Sequence, residues 1–331
     1  MSTKKRNIFT KILIWRYKYI SERQFILVLS ILVGFLAGLG TVLLKYLTLF
    51  IQSVLEGGFI KNYYYSLYFI FPIIGVWLVY LIKKNFIKKE IGHGISTTLY
   101  SISKRSGIIE RYKMFASLIV APITVGFGGS VGLQGPAVST GAALGSNVAS
   151  LFHMNAKTRM LLIGCATAGA MSSMFKAPVA AIVFAIEIFS LDLVFASLVP
   201  LLLASIAAVI TSYFFRGTDV LFSFELLDAW RVKDIVFYVL LGLATGIASV
   251  YFSKMYFLIT RFFSRFSNAY IKIGIAAIAI GFMLYLFPPL YGEGYGLINN
   301  LLNGNTEVAL SGIQYQIDFN NIWMVIVILL I

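Results

Sequence analysis

Read from its start, the chain alternates long apolar runs with short polar or glycine-rich breaks. The runs are too long for strands and fit membrane-crossing helices, which need about 20 apolar residues. A basic segment, residues 1–23, comes first; it carries Lys4, Lys5, Arg6, Lys11, Arg16, Lys18 and Arg23 against one acid, Glu22. The pattern then predicts a first long, tilted helix over Gln24–Leu55, with Lys45 near its far end able to snorkel or pair. A return helix, Tyr64–Ile82, follows and ends in Lys83-Lys84, with Lys88 and Lys89 beyond. Thr97–Ile102 is too short to span and reads as a half-helix. Further helices are predicted over Ile109–Val125, Ala137–Phe152, residues 157–175, Pro178–Phe189 and Val194–Phe215. A polar connection, Arg216–Lys233, leads to a second long helix, Ile235–Phe266, and then to Tyr270–Tyr285.

One break carries most of the chemistry. Gly126-Phe-Gly-Gly-Ser-Val-Gly-Leu-Gln-Gly-Pro136 has five glycines and a closing proline in eleven residues. Such a stretch cannot continue a lipid-facing helix, and broken backbone at membrane depth persists only where protein covers it or water reaches it. Pro136 fits the first position of a new helix, where its missing N–H costs nothing. The N–H groups of Leu133, Gln134 and Gly135 then sit at a helix start, whose positive dipole end and unpaired donors suit an anion. The competing reading is a glycine-lined helix crossing. The small-residue helix behind it contains Gly141 and Gly145, spaced for close packing on one face.

Composition agrees with the pattern. Of 331 residues, 59% are hydrophobic and 12% charged, with mean hydropathy +0.88, so the chain reads as an all-α polytopic membrane protein. The net charge of +14 sits mainly in the tail and loops. There it predicts topology, with the N-terminus cytoplasmic in the cell membrane, and not nucleic-acid binding. Lone Cys165 is expected to be a buried inert thiol, and His93 and His153 are too few and too far apart for a metal site. No cofactor is expected, and no nucleophile–base cluster suggests an enzyme.

Weak internal similarity follows the same order twice. Gly34 and Gly38 answer Gly242 and Gly246, Gly75 answers Gly281, and Gly92-His-Gly94 answers Gly292-Glu-Gly294, some 200 residues later. This predicts two repeats, 24–215 and 216–331, the second incomplete, and transporters built from repeats hold their substrate between them. The counterpart of the 126–136 break would fall beyond Ile331, and Trp323–Ile331 is too short to span, so the sequence reads as part of a longer protein.

At these residues the chain resembles the CLC family of chloride channels and chloride/proton antiporters. Gly92-His93-Gly94-Ile95-Ser96 looks like the family's Gly-Ser-Gly-Ile-Pro, and Gly132-Leu133-Gln134-Gly135-Pro136 like its Gly-Arg-Glu-Gly-Pro. Lys176-Ala177-Pro178 through Glu187-Ile188 looks like its Asn-Ala-Pro and following helix ending in Glu-Glu. A third motif, Gly-x-Phe-x-Pro, is absent, as is the pore tyrosine. The resemblance implies an inverted-repeat bundle with tilted long helices and broken half-helices meeting at mid-membrane. It also implies a homodimer with one pore per subunit, and chloride or a similar small anion held by Gly92, His93, Gly94, Leu133, Gln134 and Gly135.

The departures set the functional expectation. Gln134 stands at the gate position, where the family's glutamate carries protons and competes with the anion; an amide does neither. Ile188 stands where antiporters have an internal proton glutamate, leaving neighbouring Glu187 a structural role. His93 replaces a serine and can donate a ring N–H. Leu133 replaces a vestibule arginine, which weakens external attraction. Ser96 replaces proline and suits a helix N-cap. Without titrating groups at Gln134 and Ile188, proton coupling has no carrier, and passive chloride conduction is expected. The alternatives are an anion/proton antiporter, a carrier of fluoride or nitrate, and a non-transporting homologue.

Overall fold

A computed structural model describes residues 18–56, 66–92, 94–190, 195–218, 221–222 and 231–305. They form helices α1 (Glu22–Glu56), α2 (Ser66–Ile82), α3 (Ile95–Arg105), α4 (Lys113–Gly126), α5 (Gln134–Leu151) and α6 (Ala156–Phe175). Then come α7 (Pro178–Phe189), α8 (Phe195–Arg216), α9 (Ile235–Ser264), α10 (Ala269–Leu286) and α11 (Tyr295–Leu302). Among the described residues, five helical stretches are long and apolar enough to cross a membrane: 22–55, 69–87, 196–216, 232–264 and 269–286. Most of the basic tail, the starts of the helices expected at Tyr64 and Val194, most of the 216–233 connection and Trp323–Ile331 lie outside the described residues.

The chain divides into two compact units. The first holds α1, α3 to α8 and residues 291–293. Its centre is α6, every residue of which from Leu162 to Met174 is buried. A helix apolar or small on every side can only be an interior one. Around it, glycines let backbones approach. Gly34 of α1 lies against the Ala204 backbone of α8, and a Cβ at Gly38 would come within 3.0 Å of the Ala208 Cα. Gly145 of α5 lies against the Leu162 carbonyl of α6, and a Cβ at Gly141 would sit 2.8 Å from the Ala166 carbonyl oxygen. This is the close packing expected of Gly141 and Gly145.

With lipid as apolar as leucine, buried hydroxyls add what hydrophobic burial cannot. The Thr41 hydroxyl donates to the Ala170 carbonyl at 3.3 Å, and Ser173 to Gly38 at 3.3 Å, joining α1 to α6. Ser172 donates to the Ser205 carbonyl at 3.0 Å, and Ser212 to Ser173 at 2.9 Å, joining α6 to α8. Cys165 is buried in the same core, as expected. Lys45 pairs with Glu293, 3.9 Å away, with only 5% of its side chain exposed.

The second unit contains most of α2 with α9, α10 and α11. Gly281 of α10 lies against the Phe69 carbonyl of α2. No residue of α9 is buried, and a Cβ at Gly242 or Gly246 would meet nothing within 4 Å. The pair that answers Gly34 and Gly38 in the sequence therefore faces open space. Helix α11 was not expected; only its Gly292–Gly296 start drew attention in the sequence.

Candidate functional site

Helix α4 ends at Gly126 and α5 begins at Gln134, so the chain breaks where the glycines predict. The turn out of α4 is closed by Gly128 N–H to the Val125 carbonyl, 3.0 Å, and Gly129 N–H to Thr124, 2.8 Å, with Gly128 at φ 96°. Gly126 is fixed from outside: a Cβ there would lie 2.5 Å from Ile51 Cγ2 of α1, and its carbonyl accepts the Tyr291 hydroxyl at 2.6 Å.

The second broken element is α3. Its N-cap is Gly94, with φ 59° and ψ −112°, a conformation side chains rarely adopt; Gly92 stands at φ 83°. The short helix is anchored beyond both ends. Lys89 donates to Glu110 Oε2 at 3.0 Å, and the Tyr112 hydroxyl donates to the Glu90 carbonyl at 2.5 Å. The Lys89 hydrogen bond, opposed by desolvation and aided by the Lys89, Lys113 and Arg105 charges, holds the Glu110 carboxyl below its ordinary pKa. At the far end Ser146 of α5 donates to the Gly107 carbonyl at 2.6 Å and accepts from Ile109 N–H at 3.0 Å.

The two helix starts meet. A Cβ on Gly94 would lie 3.1 to 3.3 Å from the backbone of Gly135. The first ladder bond of α3 is Thr98 N–H to Gly94, and that of α5 is Ala137 N–H to Leu133. The N–H groups of Ile95 and Ser96, and of Gln134 and Gly135, therefore lie ahead of their ladders, at two positive helix ends in contact. A Cβ on Gly135 would meet nothing within 4 Å, so open space adjoins this contact. The Gln134 carboxamide folds back over Gly132, where a Cβ would fall on its Oε1. Two donor-lined helix ends beside open space are suited to a small anion.

Several expectations need correction. Ser96 is not the N-cap of α3; Gly94 is, and its backbone lets the helix start against Gly135. Pro136 is not the first residue of its helix. α5 starts at Gln134, and Pro136 is still harmless because the whole first turn lacks intrahelical acceptors. The Leu133 side chain is buried in the core, so only its backbone can border the break, which leaves the expected loss of the arginine's attraction as it was. His93 lies outside the described residues. Pro178 opens α7, as expected. Ile188 packs on the core formed with Val138 and Ala142, while Glu187 is exposed. Neither touches the Gly94–Gly135 contact by any bond described. Sequence reasoning missed Gly107, Ser146 and Glu110, whose work is to place α3. Among the described residues, no group of three His, Cys, Asp or Glu could hold a metal.

Comparison with known proteins agrees with this architecture. Residues 74–331 match the family described as "Voltage gated chloride channel". A "Putative chloride channel protein ClcB-like" from Ralstonia nicotianae is 25% identical over 221 residues, covering 63% of this chain and 50% of that protein. An "H(+)/Cl(-) exchange transporter ClcA" from Vibrio campbellii is 28% identical over 195 residues, covering 56% of this chain and 42% of that one. The chain thus spans half or less of the length of these relatives. A "CLC-type fluoride/proton antiporter" of known structure superposes with a TM-score of 0.70 at 22% identity, over 92% of this chain and 74% of its own.

Proposed function

Because the chain belongs to the family of voltage gated chloride channels, we propose that it forms a passive pathway for chloride across the membrane, without stoichiometric proton movement. The observation that carries this reading is the meeting of two helix starts at Gly94 and Gly135. Gly92, Gly94, Gln134 and Gly135, with the backbone at Leu133, supply the donors that replace water around the ion, and His93, the residue between Gly92 and Gly94 in the sequence, is assigned to the same set. Gln134 has the size of a protonated glutamate, so it leaves the anion's place unoccupied by charge. Ile188, packed in an apolar core, offers no internal proton acceptor. Ser96 contributes only through its backbone N–H at the start of α3, while Pro136, Pro178 and Glu187 shape or flank the helices.

We further place the basic N-terminal segment in the cytoplasm, by the positive-inside rule, and the protein in the cell membrane. Residues 24–215 form one repeat and 216–331 the start of its inverted partner, in a homodimer. The experiment is chloride efflux from liposomes, with the internal and external pH followed together. Chloride loss under a potassium diffusion potential with no proportional proton flux is the expected result. Uphill proton movement driven by a chloride gradient would refute the reading. It would favour coupled exchange, the activity named for the Vibrio relative.

A further inference from the structure

A second cavity, remote from the helix starts in sequence, opens in the first unit where α1, α6 and α8 begin and α7 ends. It has a volume of about 620 Å³. Its walls are apolar, with Leu27, Leu161, Phe189 and Val199 among them, and Arg23 and Lys157 also line it. Both cations are exposed, and among the described residues neither enters an ion pair. Among the described residues, no carboxylate lines the cavity. Arg23 is the second residue of α1, so the cavity opens beside the start of a helix long and apolar enough to cross a membrane.

We propose that this cavity is a binding site for an anionic glycerophospholipid. Arg23 and Lys157 contact the phosphate, and the first part of the acyl chains lies along the apolar wall. Three observations select this occupant. The cavity is within the size range that holds small ligands, about 300–1,000 Å³. Among the described lining residues its charge is positive and confined to two side chains, while its wall is greasy, so a free phosphate would meet its two cations and gain nothing from the rest. A basic pocket between helix ends at the membrane boundary is matched in charge by an anionic headgroup. A neutral lipid would fill the same wall and leave the cations without a partner.

The test uses the full chain purified in mild detergent. Retention of phosphatidylglycerol and of phosphatidylcholine with the same acyl chains is measured by native mass spectrometry. Phosphatidylglycerol is expected to be retained in preference, and the double variant Arg23→Gln/Lys157→Gln to weaken it about 30-fold, the factor for two surface cations each adding on the order of 1 kcal/mol. The charge-matched control Lys88→Gln/Lys104→Gln, at two exposed positions, is expected to leave retention unchanged. Ala196→Trp, which fills the cavity without altering charge, is expected to displace the lipid. Equal retention of the two lipids would overturn the proposal, as would an equal effect of both double variants. Competition by inorganic phosphate at millimolar concentration would also overturn it, reducing the site to one for a free anion. All of these readouts are independent of ion flux.

Discussion

Substituting Gly94 by alanine tests whether the two helix starts define the site. Two costs arise there. The backbone stands at φ 59° and ψ −112°, outside the regions open to side chains, which costs about 1–3 kcal/mol. The new methyl would also lie 3.1 Å from the Gly135 carbonyl oxygen and 3.3 Å from its Cα. These are backbone atoms of another helix and cannot swing aside, so forcing them apart adds about 1–3 kcal/mol. Together the loss is about 2–6 kcal/mol, a large fraction of the roughly 5–15 kcal/mol that holds a typical protein folded. Gly135→Ala is the matched comparison. It adds the same methyl on the other side of the same contact, but into open space, and alanine is favoured over glycine in a helix by roughly 0.5–1 kcal/mol. Thermal melting in detergent should show a midpoint lower by at least about 4 °C for Gly94→Ala and no fall for Gly135→Ala. Equal melting of Gly94→Ala and wild type, or an equal fall in both variants, would refute the geometry on which the functional reading rests.

Gln134→Glu should make chloride flux pH-dependent, high where the new carboxyl is protonated and low where it is ionised; flux unchanged from about pH 4 to 8 would count against the role given to Gln134. Gly145→Val places its side chain on the Leu162 carbonyl of buried α6 and should lower the melting midpoint, with overpacking costing about 1–3 kcal/mol; wild-type stability would contradict the α5–α6 packing. Glu110 has a depressed pKa, so its link to Lys89 contributes fully above the ordinary carboxylate range and is lost as pH falls through the lowered value. Amide exchange in α3, corrected for intrinsic rates, should therefore quicken below about pH 4 and stay level from pH 5 to 7, with Glu110→Gln removing the step.

Much of this was legible because membrane helices announce themselves by length and apolarity, and because glycine and proline punctuate strongly. The break at 126–136, the opening of α7 at Pro178 and the small-residue face at Gly141 and Gly145 all follow from local chemistry. Helix starts were read less well. Ser96 and Pro136 are the residue types that begin helices, yet α3 starts at a bare glycine and α5 two residues before its proline. In both places contact between Gly94 and Gly135 decides the boundary, and sequence spacing does not record that contact. The inward turn of the Leu133 side chain was not legible either, since nothing in its neighbours says which way a residue beside such a loop turns. The fastening of α3 by Ser146 and Glu110 was invisible because its partners are 37 and 21 residues away.

Along Leu162–Met174 helix α6 has no outward side. Bilayers differ in thickness by several ångströms, and a helix that touches lipid answers such a change by tilting or by drawing its flanking charges inward. Wrapped by protein along Leu162–Met174, α6 feels that change only through its neighbours, to which hydroxyls tie it at both α1 and α8. It acts as a mast: the outer helices take up the swell of the membrane, while α5, seated on α6 through Gly141 and Gly145, keeps its height. Thinning the host membrane should then alter how the protein sits in lipid well before it alters what an ion meets inside.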